Sequence, residues 1–357
     1  MHIIILYPAV KNTPIGGLQV IYEYANRLVQ DGHKITFVYA SYFRELDVSV
    51  LRKIKCCIKY IYSIGIRKLQ GCKWFNLSKN VEEKFVFEYS KRNIPQGDAY
   101  IATAVITTTY LNELTDNTAK RFYFIQDYER FIIDSDEIIR RSYQFPFTKI
   151  VVSGWLKKLV EEFSSQYCHL VINGFDAHKY YITKPIKAKN KYSVSMLYHT
   201  RIEKDIPTGL QALKIVKERI PQLTVNMFGV YKRPSNLPSW IHYIQAPAPQ
   251  QHLEINNESA IYMGCSKSEG WGLTIGEAMM CGQAVVCTNN KGYLEMAKDG
   301  FNALISPIED ATSLANNIIK LITDDSLRFQ IANNGLKSIQ SFSIEESYLK
   351  FKEILER

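Results

Sequence analysis

Between positions 266 and 286 the chain reads Ser-Lys-Ser-Glu-Gly-Trp-Gly-Leu-Thr-Ile-Gly-Glu-Ala-Met-Met-Cys-Gly-Gln-Ala-Val-Val. Two carboxylates eight positions apart, Glu269 and Glu277, enclose the glycines Gly270 and Gly272. A glycine has no Cβ, so a ligand can come close to the backbone there. A helix is predicted to begin near Leu273. Its first turn presents unsatisfied N–H groups and the positive end of the helix dipole, a ready place for a diphosphate. Glu277 falls about one turn into that helix, where a carboxylate can accept two hydrogen bonds from vicinal hydroxyls such as those of a ribose. Glu269 stands at the other end of the same anion site.

Other constellations carry less. Gly270-x-Gly272-x-x-x-Gly276 looks like a dinucleotide fingerprint, but that motif opens the first strand–helix–strand unit of a domain, and this one lies deep in the chain. Asp134-Ser135-Asp136 has the spacing of a metal–diphosphate motif. It stands just before Glu137-Ile-Ile-Arg-Arg, which favours helix capping. Gln126-Asp127-Tyr128-Glu129 follows an apolar run, which makes Asp127 and Glu129 candidates for lining an acceptor site; a structural loop is the equal alternative. His33 follows a helix-ending glycine and is read as a cap or surface residue. No metal and no cofactor are expected.

The elements that must position these residues alternate. Ile3 to Tyr7 is a continuous apolar run, expected for a parallel strand covered on both faces. Pro8 to Pro14 is a loop. Gly16-Gly17 opens a helix in which Leu18, Ile21, Ala25 and Leu28 recur at helical spacing, and Gly32 ends it. Lys34 to Tyr39, Ala99 to Val105, Arg121 to Ile125, Lys149 to Val152 and Val171 to Gly174 read as further strands, the last running into a turn, with a helix at Trp155 to Phe163. A second series has strands at Ser193 to Tyr198, Leu223 to Phe228, Ala260 to Met263 and Ala284 to Cys287. Its helices fall at Pro207 to Arg219 and Leu273 to Cys281. Ser343 with Glu346 predicts a capping box for a terminal helix. The fold class is α/β. Domains are expected at 1–178 and 179–342, with helix 343–357 packing back on the first.

At 357 residues, 46% apolar and 22% charged, the chain suits two globular domains. Seven cysteines with no C-x-x-C pair argue against a disulfide framework or zinc ribbon, and Cys265, Cys281 and Cys287 sit among apolar neighbours as packing residues. No apolar run is long enough to span a membrane, and MHIIILYPAV lacks the basic start and cleavage site of a signal peptide. The net charge of +9 is concentrated: residues 52 to 79 hold eight basic side chains and no acidic one. As a helix this stretch places Ile54, Cys57, Ile58, Ile61 and Ile64 on one arc and Arg52, Lys55, Lys59 and Arg67 roughly opposite. That pattern suits an anionic membrane surface better than nucleic acid. A basic surface loop is the plain alternative.

The segment from Glu269 to Glu277 resembles the E-x7-E motif of retaining glycosyltransferases of family 4, the group 1 glycosyltransferases. So do Gly282-Gln-Ala-Val-Val, Gly292, Glu295, Asp299-Gly300, Gly16-Gly17, Asn173-Gly174-Phe175-Asp176 and Tyr198-His-Thr-Arg-Ile-Glu-Lys204. The family usually has Lys-Gly where this chain has Lys204-Asp205. The resemblance implies the GT-B fold, two Rossmann-like domains facing across a cleft. It implies that Glu277 holds the ribose of a nucleotide-sugar donor, that Glu269 contacts the transferred sugar, and that Arg201 and Lys204 neutralise the diphosphate. Gly16, Gly17, Gly272 and the amides of Leu273 and Thr274 would face the donor phosphates. Neither carboxylate is assigned as nucleophile, since in this family the donor phosphate is thought to take the acceptor proton. The implied function is transfer of a sugar to a glycan acceptor in cell-surface polysaccharide (O-antigen or capsule type) assembly. The acceptor is expected to be lipid-linked, with undecaprenyl diphosphate as the candidate carrier. The implied place is the cytoplasm, peripheral on the inner face of the cytoplasmic membrane through residues 52–79. The alternative is a sugar-nucleotide epimerase or an NAD-dependent oxidoreductase on a similar architecture.

Overall fold

The computed structural model describes residues 1–9, 13–44, 46, 49–70, 72–114 and 118–357. Part of the loop expected at Pro8 to Pro14, residues 10–12, lies outside the described residues, as does the side chain of Lys68. The chain divides into two compact units, Met1–Ile172 with Tyr348–Arg357, and Asn173–Ser347.

In the first unit the chain alternates β1 (His2–Pro8), α1 (Gly16–Gln30), β2 (Lys34–Ala40), α2 (Val50–Gln70), β3 (Val81–Val86) and β4 (Ala99–Ala102). It continues through α3 (Val105–Leu114), β5 (Lys120–Ile125), α4 (Asp136–Gln144), β6 (Thr148–Val151), α5 (Gly154–Ser164) and β7 (Cys168–Leu170). The strands pair in parallel in the order β3-β2-β1-β4-β5-β6-β7. Ile3 to Leu6 are fully buried, as a central parallel strand between helical layers requires.

The second unit contains β8 (Asn190–Leu197), α6 (Ile206–Arg219), β9 (Thr224–Gly229), β10 (Ile241–Gln245), α7 (Pro249–Glu258), β11 (Ser259–Gly264) and α8 (Leu273–Met280). It goes on with β12 (Ala284–Thr288), β13 (Ala303–Ser306), α9 (Ala311–Thr323), α10 (Asp325–Ile339) and the start of α11 (Ile344–Glu356). Its sheet is also parallel, in the order β10-β9-β8-β11-β12-β13. The rest of α11 belongs to the first unit, where Phe351 packs on Tyr24 with ring centroids 4.7 Å apart and Lys352 pairs with Asp31 at 2.8 Å.

Two expected strands end elsewhere. Val105 opens α3 instead of closing β4, because the Thr107 hydroxyl accepts the Thr103 and Ala104 N–H groups and the Glu129 carboxylate accepts that of Val105. Val171 to Gly174 is not a strand. The edge strand lies earlier, at Cys168–Leu170, and Phe175 forms an isolated parallel bridge with Ser343. Gly174 permits that crossing, since a Cβ there would stand 2.2 Å from the Ser343 carbonyl. Edge strands β3, β10 and β13 and helices α3, α7, α9 and α10 were not foreseen from the sequence. At the start of α11 the Ser343 hydroxyl accepts the Glu345 N–H at 3.2 Å.

Candidate functional site

In the second sheet β8 and β11 are neighbours, and from them the strand order runs outward in opposite directions. The loops leaving these two strands therefore diverge, and the crevice they leave at the carboxyl ends is where open α/β sheets bind ligands. The loop after β8 carries Arg201 and Lys204. The loop after β11 carries Glu269 and Gly272 and leads into α8.

Lys204 and Glu269 meet here. The Lys204 ammonium lies 2.5 Å from Glu269 Oε1, and both side chains are largely buried. The Ser266 hydroxyl donates to the same oxygen at 2.7 Å, and the Tyr293 hydroxyl donates to Ser266 at 3.1 Å. A second tie joins the loops, the Lys267 N–H donating to the Glu203 carbonyl at 2.7 Å. Arg201 precedes the 3-10 turn Ile202–Lys204, its N–H donating to His199 Nδ1 at 3.0 Å. Asp205 then takes a left-handed conformation, φ 46° and ψ 46°, before α6 begins. The glycine usual at this place in the resembling family suits that backbone. The Asp205 side chain is buried, and its Oδ2 has no hydrogen-bond partner among the described residues.

Helix α8 starts from Gly272 at φ +102°, where a Cβ would stand 2.5 Å from the Tyr293 ring. Leu273 and Thr274 follow as its first two residues, and by helix geometry their N–H groups have no carbonyl four residues back. The family-like Gly292 also has a steric reason, since a Cβ there would lie 2.3 Å from the Glu269 carbonyl oxygen. Likewise the Phe175 ring of Asn173-Gly-Phe-Asp176 rests on Gly276, where a Cβ would stand 2.0 Å from it.

Glu277, in the second turn of α8, is buried. Burial pushes its carboxyl up to about 7, against a weaker downward pull from the Tyr180 hydroxyl. His252 of α7 brings Nε2 to 4.0 Å from Glu277 Oε2, and burial holds that imidazole down at about 4, so it is neutral at ordinary pH. A carboxylate in this setting gains most from ligand groups that donate to it, as vicinal hydroxyls do. Cys265 and Cys281 are buried thiols pushed up to about 12 by that burial, which makes them poor nucleophiles.

The remaining candidates lie in the first unit. Gly16 and Gly17 open α1 after β1, and the Gly17 carbonyl accepts the Gln126 side-chain amide at 3.0 Å. A Cβ on Gly17 would stand 3.3 Å from that amide, so the close approach uses the glycine. Asp127 Oδ1 accepts the Tyr128 N–H at 2.8 Å. Glu129 is buried, receives the Val105 N–H and lies 3.5 Å from the Tyr123 hydroxyl, so its carboxylate caps α3. In the Asp-Ser-Asp segment Ser135 is the cap of α4, accepting the Ile138 N–H at 3.3 Å, and Asp134 and Asp136 pair with Arg130 at 2.9 and 3.4 Å. The sequence did not point to Ser266, Tyr293, Tyr180 or His252. Ser266 precedes Glu269 by three residues and Tyr293 follows a motif glycine, but no spacing marks Tyr180 or His252 as neighbours of Glu277.

Residues 181–338 match the family model described as glycosyl transferases group 1. An uncharacterised glycosyltransferase of Methanocaldococcus jannaschii is 31% identical over 91 residues, which is 26% of this chain and 26% of that relative, so the match spans about a quarter of either protein. The solved sucrose-phosphate synthase of Thermosynechococcus elongatus superposes with a TM-score of 0.73 at 13% identity, covering 99% of this chain and 98% of its own. HepE of Anabaena, solved in complex with UDP and glucose, gives 0.74 at 16% identity, covering 100% and 99%. The two parallel α/β units thus have the fold of GT-B glycosyltransferases, and residues 181–338 of the second unit are similar to the group 1 glycosyltransferases.

Proposed function

We propose that this chain transfers a sugar from a nucleoside-diphosphate donor to a glycan acceptor, with retention of anomeric configuration and without a metal. The observation that carries the proposal is the cluster at the β8–β11 switch point. A free helix start at Leu273 and Thr274 stands in one unit with the Lys204–Glu269 pair and the buried Glu277. The Anabaena neighbour's complex with UDP and glucose supports a nucleotide-sugar donor.

In this reading Glu277 accepts the two ribose hydroxyls, and Lys204, Arg201 and the α8 amides meet the diphosphate. As the bond from the anomeric carbon to the β-phosphate oxygen breaks, negative charge grows on the leaving nucleoside diphosphate. A cation and fixed N–H dipoles lower that barrier. The acceptor oxygen bonds to the same face of the anomeric carbon, and its proton passes to the departing phosphate. Glu269, held by Lys204 and Ser266, orients the sugar and the lysine and does not attack. Within the first unit, Asp127 is kept as the acceptor candidate, its Oδ1 accepting the Tyr128 N–H. The acceptor is a lipid-linked glycan of the undecaprenyl-diphosphate kind, in cell-surface polysaccharide assembly on the cytoplasmic face of a membrane. The exposed apolar and basic side chains of α2 support that part.

The test is a thermal-shift screen with UDP-, GDP- and dTDP-sugars, followed by turnover with and without glycan acceptor. A donor at about a hundred times its Kd adds about 2.7 kcal/mol to the unit that binds it, or roughly 5–10 °C for a domain of this size. Glu277→Ala should lose both the shift and the turnover. Wild-type turnover in Glu277→Ala, or conversion of the donor to an isomeric nucleotide sugar with no acceptor present, overturns the proposal.

A further inference from the structure

A helix on a globular surface normally turns its apolar stripe inward and its charges outward. Helix α2 does the reverse. Two of its described side chains tie it to the sheet from one side. The Tyr60 hydroxyl donates to the Phe85 carbonyl at 3.2 Å, and Arg67, 2% exposed, pairs with Glu83 at 2.5 Å and donates to the Tyr22 hydroxyl at 3.1 Å. Arg67 is therefore not part of an outer basic face, as the sequence pattern suggested; it pins the helix to the sheet. At about 100° per residue, Tyr60 and Arg67 lie on one side of the helix. Val50, Leu51, Ile54, Ile58, Ile61 and Tyr62 spread over about 120° on the other. These six side chains are between 53% and 73% exposed. Cys57 shares their outer surface, whereas Ile64 is half-buried.

The border of this apolar arc is basic. Lys55 and Lys59 follow one another along one flank, with Arg52 on the same side, and the sequence from 52 to 79 contains no acidic residue. Among the described residues no helix is long and apolar enough to cross a membrane. The helix is thus too charged to span a bilayer, and its apolar side chains are turned away from the fold that carries it.

We infer that α2 docks this protein on a bilayer surface rich in anionic lipid. The apolar arc enters the boundary between headgroups and acyl chains, and the flanking lysines meet the lipid phosphates. Charge decides between occupants. A second copy seated on the same face would bring an identical set of cations against this one, whereas an anionic surface neutralises them. The inference does not depend on the proposed transferase activity, because lipid binding is measured with neither donor nor acceptor present.

The test is flotation of the full chain with vesicles of equal parts phosphatidylglycerol and phosphatidylcholine, and with vesicles of phosphatidylcholine alone. Binding is expected to the first, weakening as salt is raised, and to be much poorer to the second. Each basic residue at such a surface contributes about 1 kcal/mol, about fivefold. Lys55→Gln with Lys59→Gln should therefore weaken binding about 25-fold. Ile58→Glu with Ile61→Glu should weaken it on the order of 100-fold or more. All four side chains are exposed, so melting temperature and circular dichroism should not change. Equal binding to both vesicle types at high salt, or no vesicle binding, overturns the inference. A dimer in sedimentation equilibrium that Ile58→Glu with Ile61→Glu dissociates, with no lipid binding, also overturns it and gives the face to a second copy.

Discussion

Replacing Glu277 by glutamine should make the ligand-free protein more stable and less able to bind its donor, and only above a certain pH. An ordinary glutamate titrates near 4.5, and burial raises Glu277 to about 7. A raised carboxyl contributes its full stability while protonated, below about pH 4.5, and loses it as pH climbs through 7. The gap between the two values is worth about 3 kcal/mol. Glutamine keeps an oxygen for the Tyr180 hydroxyl and carries no charge at any pH. Glu277→Gln should therefore match the wild type at pH 4.5 and exceed it by about 3 kcal/mol at pH 8, roughly 6–12 °C in the melting of a domain this size. His252 does not confuse the comparison, because burial holds it near 4, so it is mostly neutral at pH 4.5 and fully so at pH 8, in wild type and variant alike. Donor binding should run the other way. Two ribose hydroxyls donating to the residue favour its ionised form. At pH 6 only about one carboxyl in eleven is ionised, so affinity for the nucleotide sugar should rise about tenfold between pH 6 and pH 8. The variant should bind weakly and without that slope. Urea unfolding at the two pH values and calorimetric titration with the donor read both effects. If Glu277→Gln is no more stable than wild type at pH 8, or gains as much at pH 4.5, the account of a buried, waiting carboxylate is wrong.

Asp205→Gly should stabilise the second unit by about 1–2 kcal/mol in urea unfolding, by relieving a left-handed backbone and a buried oxygen unpartnered among the described residues. Gly272→Ala should cost at least about 2 kcal/mol and lower donor affinity, since its φ of +102° and the Tyr293 ring 2.5 Å away leave no place for a methyl group. Lys204→Met should weaken donor binding at least tenfold by calorimetry, and adding Glu269→Gln should recover part of the stability lost by stranding that carboxylate, a coupling read by a double-mutant cycle. Arg67→Met should cost about 3–5 kcal/mol of first-unit stability, because it strips the Glu83 carboxylate of its cation and leaves it only the Tyr39 hydroxyl, while the Tyr22 hydroxyl loses the Arg67 donor.

Much of the second unit was legible because its motif residues answer to backbone geometry. Gly272 is required by a positive φ, Gly292 by the Glu269 carbonyl, and Gly276 by the Phe175 ring, so each residue type reports a local constraint. Strands buried on both faces, such as Ile3 to Leu6, announce themselves as unbroken apolar runs. The strands that escaped notice, β3, β10 and β13, all lie at sheet edges, and β3 carries Glu82, Glu83 and Lys84 in its middle. Pairings between distant residues were not legible either. Nothing in the spacing of Arg67 and Glu83 distinguishes a buried ion pair from two solvated charges, so a cation counted toward the outer face of α2 turned out to anchor the inner one.

Asp205 shows how far residue chemistry goes without coordinates. In sequence, a carboxylate following Lys204 reads as a loss of positive field at the diphosphate. In the structure, the position first demands a left-handed backbone, which glycine meets freely and aspartate tolerates better than most other residues. Lys204 keeps its partner in Glu269, while Asp205 Oδ2 is buried with no hydrogen bond among the described residues. The departure at Asp205 therefore bears on stability through backbone strain and desolvation. Its electrostatic part is separable: Asp205→Asn keeps the strain and removes the charge. If the field at Lys204 is what matters, donor affinity should rise in Asp205→Asn as much as in Asp205→Gly; if strain dominates, stability should rise chiefly in Asp205→Gly.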